Sequence, residues 1–134
     1  MPATGGYNMY WMLILISSLI SGLIGVGVST WYNHRNEIRR TKLQVLQQLL
    51  GNRHDVRGQL FTEALNQIFL IFYDSQDVLS ALKELHECIM SDQKTEDLAN
   101  QKFLYLVKAM CKNLKINPEP LTDTFFLLPF NVKP

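Results

Sequence analysis

Residues 10–32 read YWMLILISSLISGLIGVGVSTWY, and this stretch decides how the rest of the chain is organised. No charged side chain precedes Arg35. The uncharged run from Met9 to Tyr32 holds 24 residues, about 36 Å of α-helix. Bilayer hydrocarbon is roughly 30 Å thick, so such a helix spans it with some tilt. Trp11 stands at one end and Trp31 and Tyr32 at the other, and such rings favour the headgroup interface. A cleaved signal peptide would need a basic n-region and a short apolar core; neither is present. A soluble core helix would not run 18 or more apolar residues unbroken.

The flanks set an orientation. Arg35, Arg39, Arg40 and Lys42 follow the stretch, and the excess of Lys and Arg on that side predicts a cytoplasmic C-terminal part. The expected organisation is therefore an extracytoplasmic tail (1–8), a transmembrane helix (9–32) and a cytoplasmic helical domain (33–134). With this topology the chain belongs in a bacterial inner membrane, its N-terminus periplasmic. Trp11, Trp31, Tyr32, Arg35, Arg39 and Arg40 are its expected membrane-interface residues.

One side of the stretch is rich in small residues. Ser17, Ser21, Gly25 and Ser29 recur every four positions, with Ser18 and Gly22 alongside. Residues four apart share a helical face. Small side chains let a second backbone approach, and serine hydroxyls can bond across helices. The six are candidates for oligomerisation, for lining a wet pore, or for both.

The remaining chain is one small all-α domain. Overall the protein carries +1, which hides a gradient: residues 35–57 hold six cations against two acids, residues 58–134 seven against ten. The basic segment suits anionic headgroups; a nucleic-acid patch is the sharper alternative, without the aromatic interleaving that would mark one. Asn33–Leu50 lacks Gly and Pro and places Ile38, Val45, Leu46, Leu49 and Leu50 in one apolar row. That predicts a helix continuous with the apolar stretch, closed by Gly51-Asn52 as a C-cap.

The turn GNRHDVRG leads to Gln59–Tyr73, whose second half is so continuously apolar that burial on nearly all sides is expected, with Asn66 as a structural hydrogen-bonder. Asp74 or Ser75 caps Gln76–Met90, with Val78, Leu79, Leu82, Leu85, Ile89 and Met90 inward. Thr95, Glu96 and Asp97 start a helix that runs to about Leu114, with Leu98 on its buried side. Cys88 and Cys111 fall on apolar faces, as buried reduced thiols. Pro118 and Pro120 end helicity. The tail LTDTFFLLPFNVKP is too apolar to stay in water and should dock, first of all on its own bundle.

No set of residues suited to catalysis appears: no nucleophile with a base, no phosphate loop, no Cys/His metal spacing. An enzyme, a cofactor, a metal or a small-molecule substrate is not expected.

Three strings carry a resemblance: RTKLQVLQQLL (Arg40–Leu50), TEALNQIFLIFYDSQDVLSALKEL (Thr62–Leu85) and FLYLVKAMCKNLKI (Phe103–Ile116). They resemble a bacterial family of membrane-anchored helical domains of unknown function. In layout the chain is also similar to the small pore-forming membrane accessory proteins of RNA-targeting type VI-B CRISPR systems. That resemblance implies a degenerate HEPN-like bundle, a homo-oligomer that permeabilises or depolarises the membrane in antiviral defence, and a CRISPR effector or its RNA as partner. HEPN ribonucleases carry an arginine followed four to six residues later by histidine, and none of Arg35, Arg39, Arg40, Arg53 or Arg57 has one. The alternative is a membrane-tethered adaptor that recruits a cytoplasmic partner without forming a pore.

Overall fold

The computed structural model describes residues 5–130. Among them the chain is helical with no strand: α1 (Gly5–Gly51), α2 (Gln59–Ile71), α3 (Gln76–Met90), α4 (Glu96–Asn113) and the short α5 (Asp123–Leu127). Two compact units are separated between Glu37 and Ile38.

The first unit is the N-terminal part of α1. Its helix starts at Gly5, so residues 5–8, expected as tail, are helical; residues 1–4 lie outside the described part. The helix is long and apolar enough to cross a membrane, a test that signal sequences and soluble core helices also pass, and its most apolar window has no buried residue.

The second unit is a helical bundle in which α2, α3 and α4 join the last turns of α1. Lys42, Val45, Leu46 and Leu49 are the buried residues of α1, spaced as one side of a helix. They meet Ile68 of α2 and Phe72 just after it, Val78 and Ala81 of α3, and Leu106, Val107 and Met110 of α4. Each large aliphatic or aromatic side chain removed from water there contributes about 1.5–3 kcal/mol, an upper estimate. Phe61 and Phe103 add a ring contact at 5.7 Å between α2 and α4.

The ends of the helices have local causes. Ser75, rather than Asp74, is the N-cap of α3 and accepts from the Val78 N–H at 3.5 Å. Thr95 accepts from the Leu98 N–H at 3.2 Å to start α4. Glu96 and Asp97 in the first turn and Lys112 in the last complement the helix dipole. At the end of α4 the Lys115 N–H reaches the Lys112 carbonyl (3.1 Å) and the Ile116 N–H the Cys111 carbonyl (2.9 Å). This pair of bonds is a Schellman cap. Its left-handed position holds Lys115, φ 57°, where glycine is usual. α1 ends at Gly51-Asn52 as expected, though not through a left-handed residue, since Gly51 has no positive φ. Instead the Asn52 side chain and N–H both donate to the Gln48 carbonyl, at 2.8 and 3.1 Å. Gly58 sits close to Asp55: a Cβ there would stand 2.3 Å from Asp55 Oδ2, which would have to turn away, and 3.1 Å from the Asp55 carbonyl oxygen.

Several expectations about burial are corrected. α2 is buried on one side only; Leu60, Phe69, Leu70 and Tyr73 are exposed, because neighbouring helices cover a single face. Asn66 is exposed as well and needs no buried partner. Ile89, Met90 and Leu98 lie at the open end of the α3–α4 pair and are exposed. Cys88 and Cys111 are buried free thiols, and burial pushes the Cys111 thiol above its ordinary value. The tail does dock on the bundle: Phe126 is buried, Phe125 meets it edge-to-face at 5.6 Å, and Lys108 pairs with Asp123 at 2.7 Å.

Candidate functional site

The six small residues expected to work lie on one uninterrupted helix and are all exposed. At 100° per residue, a spacing of four advances about 40° per step. Ser17, Ser21, Gly25 and Ser29 therefore wind slowly around α1. Ser18, Gly22, Gly25 and Ser29, spaced four, three and four, stay within about 60° of arc, and they form the tighter face. Nothing comes within 4 Å of where a Cβ would stand on Gly22 or Gly25. The Ser17 and Ser18 hydroxyls donate to the Ile14 and Leu15 carbonyls one turn back, both at 2.9 Å. Each such bond satisfies the hydroxyl proton while leaving oxygen lone pairs outward. The arrangement can receive a helix at close range or present acceptors to water.

Trp11, Trp31 and Tyr32 are exposed. The Arg35 guanidinium lies 4.8 Å from the Trp31 ring centroid, a cation–π contact that fixes both groups one turn apart. Arg39 and Arg40 belong to the second unit. Arg39 Nη2 donates to the Leu114 carbonyl at 3.4 Å, and both arginines are exposed. The expected interface cations thus do not form one set.

Sequence reasoning missed two polar centres. Lys42, read as one more cation beside the membrane, is 5% exposed. Its ammonium donates to Asp74 Oδ1 and Oδ2 at 2.7 and 2.9 Å and to Asn113 Oδ1 at 3.1 Å. It also lies 5.3 Å from the Phe72 ring centroid. One buried cation thereby joins α1, the α2–α3 turn and the end of α4. The signal was its phase: Lys42, Val45, Leu46 and Leu49 fall on one helical row. Arg53, read as solvated, donates to the Leu50 carbonyl and, through Nη2, to the Phe125 (3.3 Å) and Leu128 (3.0 Å) carbonyls. It ties the turn after α1 to the tail. No group of three His, Cys, Asp or Glu able to hold a metal occurs among the described residues.

No curated protein and no solved structure matches the chain. A family model does match, over residues 7–122: DUF6680, a family of unknown function. The match takes in both units, and the chain belongs to that family.

Proposed function

We propose that this DUF6680 protein is a single-pass protein of the bacterial inner membrane, its N-terminus periplasmic and its bundle, a degenerate HEPN-like fold, cytoplasmic. Copies associate through the Ser/Gly face of α1 and permeabilise or depolarise the membrane in antiviral, CRISPR-associated defence. The observation that carries the reading is the exposed apolar length of α1 with its narrow face of small residues. Leu13, Leu15, Leu19, Ile20, Leu23 and Ile24 all face outward. An uncovered apolar surface of that size is unstable in water and demands lipid or another protein. Parallel helices that meet through a repeated, non-self-complementary contact close into a ring, and ring-facing serines would wet its lumen.

The exposed Phe69, Leu70 and Tyr73 support a second reading. In it the chain is a tethered adaptor, and its helices merely dimerise. Gly25→Leu separates the two, because a leucine on the narrow face holds neighbouring backbones apart. The pore reading expects the full chain to depolarise cells on overexpression and the variant to lose both oligomer and depolarisation. An adaptor keeps its partner in a pull-down whichever residue stands at 25. A wild-type chain that is monomeric in mild detergent and leaves membrane potential unchanged would sink the pore reading.

A further inference from the structure

We infer that one end of the bundle is a docking surface for an anionic lipid layer; this rests on the membrane reading above. The surface is assembled from three elements. Lys42 holds Asp74 and Asn113, Arg39 reaches the Leu114 carbonyl, and Lys112 pairs with Asp77 at 3.1 Å. These bonds bring residues 39–42, the α2–α3 turn and the α4 C-terminus to one end of the bundle.

Charge and apolar surface coincide there. Arg39, Arg40, Lys42, Lys112 and Lys115 stand against Asp74, Asp77 and Glu119. Lys42 is spent internally on Asp74, while Arg40 and Lys115 are exposed. The opposite end, made of the α1–α2 turn and the α3–α4 connection, has the reverse balance: Asp55, Glu87, Asp92, Glu96 and Asp97 outnumber Arg53, Arg57 and Lys94. At the basic end the last turn of α2 exposes Phe69 (54%) and Leu70, and the turn that follows it exposes Tyr73 (72%).

Cations and an aromatic–aliphatic patch at the same end of the bundle match the chemistry of a bilayer interface. Phosphates take the cations, and a tyrosine ring sits at headgroup depth with its hydroxyl wet. A second copy of the chain is the poorer occupant, because two such ends meeting face to face would oppose like charges. A lipid layer supplies the opposite sign.

The test uses the full chain in nanodiscs with an environment-sensitive NBD label on Tyr73→Cys or, as the distal reference, Val56→Cys. Cys88 and Cys111 are buried, and the unsubstituted chain gives their background labelling. In discs containing phosphatidylglycerol the label at 73 should shift to the blue and escape aqueous iodide, while that at 56 stays water-like. In discs of phosphatidylcholine alone the effect at 73 should weaken. Arg40→Gln or Lys115→Gln should each lower the docked-to-free ratio roughly fivefold, about what one cation near an anionic surface supplies. A label at 73 as quenchable as that at 56, in a chain that stays with the discs, overturns the docking surface alone. Shielding that is equal in both lipids and grows with the number of chains per disc assigns the patch to a second copy and also overturns it. A chain that fails to remain with the discs removes the membrane reading and the docking with it.

Discussion

Residues 10–32 of α1 and residues 68–72 at the end of α2 are both uncharged, largely apolar runs, yet they meet different fates. Every residue of the first is exposed in the structure. In the second, Ile68 and Phe72 are fully buried while Phe69 and Leu70 are not. Composition alone does not separate them. The difference lies in what the neighbouring sequence supplies. Around α2, three other segments carry apolar rows at helical spacing, so one side finds a partner. Residues 10–32 have no buried position among the described residues, and they are long and apolar enough to cross a bilayer.

The largest expected effect tests that contrast directly. Phe72→Ala empties the centre of the core and removes the ring beside Lys42. It should destabilise the bundle by about 3–5 kcal/mol. Leu23→Ala, in the exposed run, should leave the urea midpoint of the full chain in detergent unchanged. A drop with Leu23→Ala comparable to that with Phe72→Ala would mean the apolar run packs on the bundle, and the contrast would collapse.

Next comes the buried cation. Asp74→Ala leaves an ammonium deep in the fold with only Asn113 to receive it. A cost of about 2–3 kcal/mol is expected, below the usual range for a broken buried pair because the Asp74 side chain is half exposed. Lys42→Met keeps the volume and removes the desolvated charge, so it should be neutral within about 1 kcal/mol or stabilising. Equal losses from both substitutions would show that the ion pair itself, rather than the burden of an unpaired charge, holds α1 to the bundle.

These residues also mark how far the sequence could be read. Ser75 and Thr95 announce their helices because a cap bonds within three residues. The row Val45, Leu46, Leu49 was legible from spacing, as was the burial of both cysteines. Lys42 was in phase with that row, but a basic segment after an apolar stretch already had an explanation, and its partner Asp74 lies 32 residues away. Arg53 was harder still. Its acceptors are backbone carbonyls 72 and 75 residues on, and a carbonyl leaves no trace in residue identity. The second half of α2 was harder to read, because Ile68–Tyr73 holds no strongly polar position to mark its phase. For the small residues, helical spacing alone groups Ser18, Gly22, Gly25 and Ser29 within a narrow arc; whether that face receives a second helix is the question the Gly25→Leu experiment answers.

A smaller effect tests whether the end of α4 is as well fitted as its core. Lys115 occupies the left-handed position of the Schellman cap, where a Cβ costs about 1–2 kcal/mol. Glycine avoids that cost but gains freedom in the unfolded chain. Lys115→Gly should therefore stabilise by about 1 kcal/mol, read as a higher urea midpoint. No gain would mean that the lysine side chain returns the strain through contacts of its own.

The smallest effect concerns pH and again sets buried against exposed chemistry. Burial raises the Cys111 thiol above its ordinary 9.0. Near that pH the unfolded chain gives up this proton while the folded chain keeps it, so the folded state binds more protons and stability falls as pH rises. Lys102 also holds its proton more tightly in the fold, through its hydrogen bond and attraction to Glu84. Its contribution is intact below 10.5 and is lost only above that value. The window from 9.0 to 10.5 therefore isolates the thiol from this lysine. Urea midpoints of the wild-type chain should decline across the window more steeply than those of Cys111→Ala. Parallel declines would place the alkaline loss in other groups and show that the Cys111 site admits enough water to ionise as the unfolded chain does.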